Sequence, residues 1–331
     1  MDRGKRIKAV LVTGAAAGGL LTLPSIIRAL DRRRESREGA GDLPSIMDGE
    51  EKKGVCSLDG TPLYVDYLGE SDPTVFFAHG YQESGRVFHY QKPYFSDKYR
   101  VVSFDSRGFG RSGVPTDLDF SAQKAAADLK AVIDAFNPEE FVVAGHSMGG
   151  FTTFEFFKLF GHEYEGRLKG LAIIDSTGTD IEDFSPRWKM MTKMMANTKP
   201  GRLSDAFDKY IADSALMYLY IRWLSFGKRP PASQVELLQQ LANSSSFEAS
   251  CEAPKGTWRF EEHLPDVNVP VMLLVGSEDT LMADDRCNRR THALLPDSRL
   301  KVFEGAGHCS MQEQPEEFNE SLDGFLAECF G

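Results

Sequence analysis

The chain has 331 residues, of which 41% are hydrophobic, and can therefore bury the core of one large α/β domain or two average ones. Its net charge of −11 at pH 7 excludes the strongly basic class of nucleic-acid-binding proteins, because phosphate binding needs a positive surface. A small-molecule substrate is the expected partner.

Cysteine and histidine residues show no metal-site pattern. The five cysteines are scattered without C-x-x-C spacing, and the seven histidines lie far apart in the sequence. The stretch VLVTGAAAGGL at residues 10–20 resembles a nucleotide-binding turn, but no second strand with an acidic ribose ligand follows it. The sequence predicts free thiols and implies neither a metal nor a cofactor.

Residues 1–50 form an N-terminal extension whose composition differs from that of the following chain. Arginine and lysine residues flank an uncharged run over residues 9–27, which is just long enough to span a bilayer but contains three glycines and a proline. Membrane association through residues 9–27, a targeting sequence and a plain extension are all compatible with this composition. Depending on the role of this segment, the protein is cytoplasmic, organellar or membrane-anchored.

From about Gly54 onward, strands alternate with helices. Helical spacing is found at Ser121–Phe136, Phe151–Phe160, Asp284–Leu295 and Glu316–Phe330. Short apolar or β-branched runs predict buried parallel strands at Leu63–Tyr67, Thr74–Ala78, Val101–Phe104, Phe141–Ala144 and Leu171–Ile174, and further strands at Val269–Val275 and Leu300–Phe303. This alternation predicts an α/β fold with a mostly parallel, doubly wound sheet.

The alternation stops after Thr177 and resumes near Val269. The interval has no convincing strand, but it is rich in methionine and aromatic residues, such as Trp188, Met194 and Tyr218. We predict a helical cap over residues 177–267, inserted into an α/β core made of residues 51–176 and 268–331.

A nucleophile motif follows the predicted strand Phe141–Ala144. Residues 145–149 read GHSMG and match G-x-S-x-G, in which the glycines let a strand turn sharply into a helix and expose the serine. The motif is weak by itself, but an apolar strand precedes it and a helix follows it. Ser147 is therefore the candidate nucleophile.

A serine hydroxyl needs a base that removes its proton. His308 is the best candidate, because it lies in the turn GAGH after the last predicted strand, and loops at the carboxyl ends of parallel strands build active sites. His146 adjoins the nucleophile and is expected to point away from it. His79 is expected to be structural.

The imidazolium formed during catalysis needs a carboxylate partner. Asp279 follows the predicted strand ending at Val275 and gives the chain order Ser, Asp, His. Asp175 is a rival because it also follows a strand, whereas the adjacent Glu278 is expected to face elsewhere. We favour Asp279.

Backbone N–H groups must receive the oxyanion of a tetrahedral intermediate. One donor is expected to be Met148, the residue after the serine. The other is expected to be Tyr81, next to Gly80 in the loop after the strand Thr74–Ala78.

Taken in chain order, these motifs resemble the landmarks of the α/β-hydrolase family. The landmarks are His79-Gly80, Asp105–Ser112, Gly145–Gly150, Gly276 with Asp279, and Gly307-His308. The resemblance covers about Val55 to Phe330 and implies a serine hydrolase with a helical cap. It also implies that Asp105–Ser112 is a turn that shapes the site without taking part in the chemistry.

The leading hypothesis is hydrolysis of a carboxylic ester or thioester of a small, largely apolar substrate through an acyl-enzyme. Acyltransferase, carbon–carbon hydrolase and perhydrolase reactions use the same triad, and no local motif separates them from ester hydrolysis. Family members that open epoxides or remove halogens use a carboxylate where this chain has Ser147. A low-turnover ligand-binding receptor of the same fold is a further alternative, which the intact triad disfavours.

Overall fold

A computed structural model describes residues 23–37, 46, 48–70, 72–179, 186, 189–190, 193, 213–255, 260–281 and 285–331. Within these ranges, eight strands form one sheet in the order β1-β2-β4-β3-β5-β6-β7-β8. Strands β3 to β8 are parallel, whereas β1 and β2 are antiparallel to their neighbours. The strands are β1 Glu50–Glu51, β2 Val65–Leu68, β3 Thr74–Ala78, β4 Arg100–Phe104, β5 Phe141–His146, β6 Leu168–Ile174, β7 Val271–Gly276 and β8 Ser298–Phe303.

The described helices lie before β1, between successive strands, and after β8. They are α1 at residues 23–37, α2 Gln91–Phe95, α3 Ala122–Phe136, α4 Met148–Phe160, α5 Ala215–Ser225, α6 Ala232–Asn243, α7 Phe247–Glu252, α8 Asp285–Leu294, α9 Ser310–Glu313 and α10 Pro315–Phe330. Short 3-10 turns occur at Gly85–Phe88, Gly161–Tyr164, Ala253–Lys255 and Glu261–Asp266.

The predicted α/β fold with a mostly parallel sheet is confirmed, but the prediction for its first long strand was wrong. The run Leu63–Tyr67 was expected to form a buried parallel strand. Strand β2 instead covers Val65–Leu68, pairs antiparallel with β4, and is only half-buried at its last two residues. Side chains alternate between the two faces of a strand in either direction, so a short apolar run does not reveal the direction.

Alternating side chains of the central strands build one apolar layer on each face of the sheet. On β3, Phe76 and Ala78 face the layer formed with α3 and α4, while Val75 and Phe77 face the layer formed with α2 and α10. Because both faces are covered, the strands read as continuous apolar runs. The two layers fix the carboxyl ends of the strands, where the loops of the candidate site begin.

The inserted helical cap is confirmed in the part of the chain that is described. Between residues 175 and 270, the described residues form helices and turns but no strand. Helix α1 of the N-terminal extension packs on α5 and α6: Asp31 accepts hydrogen bonds from Tyr218 and Arg222, and Glu236 pairs with Arg28 and Arg32. The extension is therefore attached to the cap by charged contacts.

The candidate membrane segment is described only in part. Residues 9–22 lie outside the described residues, and residues 23–27 belong to α1. None of the described helices combines the length and the apolar character needed to cross a membrane.

Removing one partner of the buried ion pair between α2 and β2 is expected to destabilise the protein strongly. Lys92 Nζ lies 2.6 Å from Asp66 Oδ2, and each side chain is 2% exposed. Replacing Lys92 with methionine leaves a buried carboxylate without its cation, so we expect Lys92→Met to lower the free energy of unfolding by about 3–5 kcal/mol. Urea unfolding measures this loss.

The matched control for this variant is Lys98→Met, which removes an ion pair with Asp323 at the surface. Solvent screens that pair, so its loss is expected to have a much smaller effect. Equal losses of stability in the two variants would contradict the role assigned to the buried pair.

Candidate active site

Ser147 lies between β5 and α4 in a backbone conformation that L-residues rarely adopt. Its φ is +52° and its ψ is −116°. The Ser147 N–H donates to Ile174 O at 2.9 Å, and Ser147 O accepts from Ser176 Oγ at 2.8 Å. These contacts with the end of β6 hold the strained turn and present the Ser147 side chain at the carboxyl ends of the parallel strands.

Close backbone approach at Gly149 brings α4 against the end of β3. A Cβ atom added at Gly149 would lie 2.1 Å from Ala78 O and 2.8 Å from His79 O. Any side chain at this position would therefore push the helix away from β3. The glycine keeps the start of α4 beside the loop that carries Tyr81.

His308 contacts both Ser147 and Asp279, the two residues that the sequence analysis predicted as its partners. Its Nε2 lies 2.9 Å from Ser147 Oγ, and its Nδ1 lies 2.8 Å from Asp279 Oδ2. An ionised carboxylate only accepts hydrogen bonds, so Nδ1 carries the proton and Nε2 is left to accept from the serine hydroxyl. All three residues are buried, with exposures of 3–5%. The arrangement can transfer the Ser147 proton to His308.

Asp175, the rival candidate for the carboxylate partner of His308, binds backbone and hydroxyl groups instead. Asp175 accepts the backbone N–H of Gly276 and both the N–H and the hydroxyl of Ser310. It thereby fastens the loops that hold Asp279 and His308. Burial and the neighbouring Asp279 raise the pKa of Asp175 to about 6.

Glu278 faces away from the triad, as the sequence analysis expected. Its carboxylate accepts from the backbone N–H and the ammonium group of Lys228. Of these two adjacent residues, Glu278 therefore lies at the surface and Asp279 in the buried site.

The predicted oxyanion donors lie at the start of α4 and in the loop after β3. Met148 is the first residue of α4, so its N–H belongs to the positive end of a helix dipole. Tyr81 follows Gly80 in the loop after β3. The Tyr81 hydroxyl donates to Ser250 O on α7 at 2.5 Å, and its ring meets Phe109 edge-on at 6.0 Å between centroids. These contacts hold the loop between the core and the cap.

His79 has the contacts of a structural residue. Its Nε2 accepts from the Ser106 N–H at 2.8 Å, so its Nδ1 carries the proton and donates to Gly80 O at 2.7 Å. Burial lowers the pKa of this imidazole, which agrees with a neutral ring. His79 thus joins the Asp105–Ser112 turn to the loop that carries Tyr81.

A second buried cluster beside the triad was missed by the sequence analysis. Atoms of Glu83, His146 and Cys309 that could bind a metal lie within 4.8 Å of one another. His146 Nδ1 lies 3.0 Å from Glu83 Oε2, and its Nε2 lies 2.8 Å from His308 O. The three residues are far apart in the sequence, so no local motif signals their contact.

Glu313 is a buried carboxyl group that joins the His308 loop to the cap. It accepts the backbone N–H of Gly307 at 2.7 Å and that of Gly227 at 3.0 Å. Burial raises the pKa of Glu313 to about 8, although the two amide donors oppose the shift.

This raised pKa predicts a pH-dependent contribution to stability. The ordinary pKa of the group is 4.5, so the folded protein binds more protons than the unfolded chain, and stability falls as pH rises from 4.5 towards about 8. Glu313→Gln cannot ionise and is expected to remove this fall. Urea unfolding of both proteins between about pH 5 and pH 9 should show a stability difference that shifts in favour of the variant as pH rises. A difference independent of pH would contradict the assignment.

Comparison with known proteins identifies the family. A family profile described as alpha/beta hydrolase fold matches residues 73–315, which include Ser147, Asp279 and His308. Epoxide hydrolase 1 of Caenorhabditis elegans is 23% identical over 303 residues, covering 86% of this chain and 72% of the relative. The 2-hydroxy-6-oxo-6-phenylhexa-2,4-dienoate hydrolase of Comamonas testosteroni is 24% identical over 274 residues, covering 80% and 91%.

A solved structure has the same fold. An esterase from Exiguobacterium antarcticum superposes with a TM-score of 0.71 at 21% sequence identity, covering 84% of this chain and 99% of the esterase. The profile match extends over more than half of the chain and contains strands β3 to β8. The chain belongs to the α/β-hydrolase fold family.

Proposed function

We propose that this protein is a serine hydrolase that cleaves a carboxylic ester or thioester of a small, largely apolar substrate. The observation that carries the proposal is the continuous chain of contacts from Ser147 through His308 to Asp279, with distances of 2.9 and 2.8 Å. This arrangement activates a serine hydroxyl for attack on an acyl carbonyl.

In the acylation step, Ser147 Oγ attacks the carbonyl carbon while its proton passes to His308 Nε2. Asp279 stabilises the resulting imidazolium and keeps its ring oriented. The backbone N–H groups of Tyr81 and Met148 receive the negative charge that develops on the carbonyl oxygen. His308 then donates the proton to the departing alcohol or thiol, and the acyl group stays on Ser147.

Deacylation repeats these steps with water in place of the serine. His308 takes a proton from the water, whose oxygen attacks the acyl carbon of the ester formed on Ser147. The same two amides stabilise the second oxyanion. Collapse of this intermediate releases the carboxylic acid and returns the proton to Ser147 Oγ, which restores the starting state.

Support for an apolar substrate comes from the surroundings of Tyr81. This half-buried residue contacts the Phe109 ring on one side and the cap helix α7 on the other. An acyl group held beside the proposed donor Tyr81 would lie near these groups, and ligand sites are lined mainly by apolar and aromatic side chains. In the cap, the aromatic residues Tyr218 and Phe226 are buried in the core and serve packing. Other methionine and aromatic residues of the predicted cap lie outside the described residues: Trp188, Met191, Met194, Met195, Phe207 and Tyr210.

Ser147 at the elbow argues against epoxide opening, the reaction in the name of one relative. Enzymes of the family that open epoxides use a carboxylate nucleophile, which forms an ester with the substrate. Ser147 would form a much less reactive ether with an epoxide carbon, so the same cycle would not turn over. An acyl carbonyl suits a serine nucleophile.

Turnover of p-nitrophenyl esters tests the proposed substrate class. Purified full-length protein is incubated with esters whose acyl groups range from acetyl to palmitoyl, and with a matched thioester series. We expect release of the phenol or thiol, with an optimum chain length that reports the size of the acyl pocket. A folded protein that is inert on every ester and thioester would overturn the proposal.

Two further substrates distinguish the reactions that share this triad. Added alcohol acceptors would reveal acyl transfer as a new ester product, and a 2-hydroxy-6-oxo-dienoate would reveal carbon–carbon bond hydrolysis. Under the proposal, water is the main acyl acceptor and the dienoate is a poor substrate. Faster turnover of the dienoate than of all esters would favour carbon–carbon hydrolysis instead.

A further inference from the structure

Three parts of the proposed catalytic machinery meet at one buried pair of side chains. Glu83 Oε2 accepts the backbone N–H of Gly80 at 2.7 Å and lies 3.0 Å from His146 Nδ1. The other ring nitrogen of His146, Nε2, lies 2.8 Å from the backbone oxygen of His308. Glu83 and His146 are 3% and 0% exposed.

Each contact of the pair ends beside a group that acts in the proposed reaction. Gly80 directly precedes Tyr81, the proposed oxyanion donor, and His146 directly precedes the nucleophile. The third contact holds the backbone of the proposed base, His308. A shift of the pair would therefore change the relative positions of donor, nucleophile and base together.

The hydrogen-bond partners determine the charge state of His146. The carbonyl oxygen of His308 can only accept, so Nε2 carries a proton. Glu83 Oε2 already accepts from Gly80, which favours the ionised carboxylate and makes Nδ1 a donor as well. An imidazole with two N–H groups is a cation, so Glu83 and His146 form an ion pair.

Electrostatics support this charge state. Burial would lower the pKa of His146, but the adjacent Glu83 raises the pKa to about 9, and Asp175 acts in the same direction. Burial would likewise raise the pKa of Glu83, but His146 and the backbone N–H of Gly80 hold it below its usual value. Each member of the pair is thus stabilised in its charged form by its partner.

The third member of the cluster, Cys309, is poorly suited to bind a metal together with Glu83 and His146. Burial raises the pKa of its thiol well above the usual range, and a thiol must lose its proton to bind a metal. A metal on His146 Nδ1 would also displace the hydrogen bond to Glu83. The contacts therefore favour the ion pair over a metal site.

We propose that the Glu83–His146 ion pair positions the oxyanion donor, the nucleophile and the base relative to one another. Both members are positioning residues, because neither touches the reacting atoms. The inference rests on the proposed serine mechanism for its kinetic consequences, but the charge state of the pair can be measured independently of turnover.

Kinetics of Glu83→Gln test the positioning role. The glutamine keeps the shape of the side chain and removes its charge, so we expect kcat on the best ester to fall about 10- to 100-fold. KM should change by less than about two-fold, because the pair does not contact the substrate. Glu83→Asp keeps the charge and should recover part of kcat.

The matched control is Asp66→Asn, which breaks another buried ion pair, with Lys92, outside the site. This variant should lose stability and keep the wild-type kcat. If Glu83→Gln likewise lost stability and kept kcat, the pair would be merely structural and the proposal would be overturned.

Nitrogen-15 NMR of histidine-labelled Ser147→Ala protein provides a readout that needs no activity. At about pH 8, below the pKa of about 9, both ring nitrogens of His146 are expected to be protonated. Signals absent from a His146→Gln sample identify this residue. A ring with a single proton would overturn the ion pair even if Glu83→Gln failed to fold. An active Ser147→Ala enzyme would instead overturn the serine mechanism, leaving the NMR result to decide the charge state.

Discussion

Replacing Ser147 with alanine is expected to abolish ester hydrolysis, with kcat about 10⁴- to 10⁶-fold lower than in the wild type. Alanine has no hydroxyl to attack the carbonyl, while the partners His308 and Asp279 stay in place. The backbone hydrogen bonds of the elbow do not depend on Oγ, so the variant should fold normally. Turnover of the best ester and a thermal melt measure the two effects.

The matched control is Ser233→Ala, at the start of α6. The Ser233 hydroxyl contacts Glu35 of the N-terminal helix and lies outside the candidate site, so activity should stay near that of the wild type. If Ser147→Ala kept more than about 1% of wild-type activity, Ser147 could not be the nucleophile.

Replacing Asp279 with asparagine is expected to lower kcat about 10⁴-fold. The amide has almost the same shape as the carboxylate, but its NH₂ group can donate to His308 Nδ1. The favoured tautomer of His308 then carries its proton on Nε2 and cannot accept the proton of Ser147. Steady-state kinetics on the best ester measure the loss, which should appear mainly in kcat.

Glu278→Gln serves as the control for this variant, because Glu278 is the adjacent acidic residue and binds Lys228 at the surface. Its removal should leave kcat near the wild-type value. An active Asp279→Asn enzyme would contradict the assignment and make Asp175 the next candidate for the carboxylate that supports His308.

Local patterns were sufficient for much of the fold because each feature depends on residues close together in the chain. The apolar run Thr74–Ala78 coincides with β3, since a strand covered on both faces needs uninterrupted apolar side chains. The helical spacing of Ser121–Phe136 likewise corresponds to α3 at Ala122–Phe136. Helix α4 begins at Met148, three residues before the predicted start, because the elbow turns directly into the helix.

Contacts between residues that are distant in the chain could not be predicted from local patterns. Asp175 and Asp279 both follow parallel strands, and only the folded arrangement shows which one lies against His308. Glu83 in the loop after β3 and His146 at the end of β5 are distant in the sequence, and neither residue type signals a buried ion pair by itself. The antiparallel direction of β2 also depends on its partner strand.

Mass spectrometry after reaction with a fluorophosphonate examines the nucleophile directly, since this reagent forms a stable covalent bond with an activated serine. Full-length protein is treated with the probe, its intact mass is recorded, and the modified peptide is sequenced. We predict one adduct per chain, on Ser147, and the loss of this adduct in His308→Ala. A folded protein that stays unmodified, or that carries its adduct on another residue, would contradict a mechanism in which His308 activates Ser147.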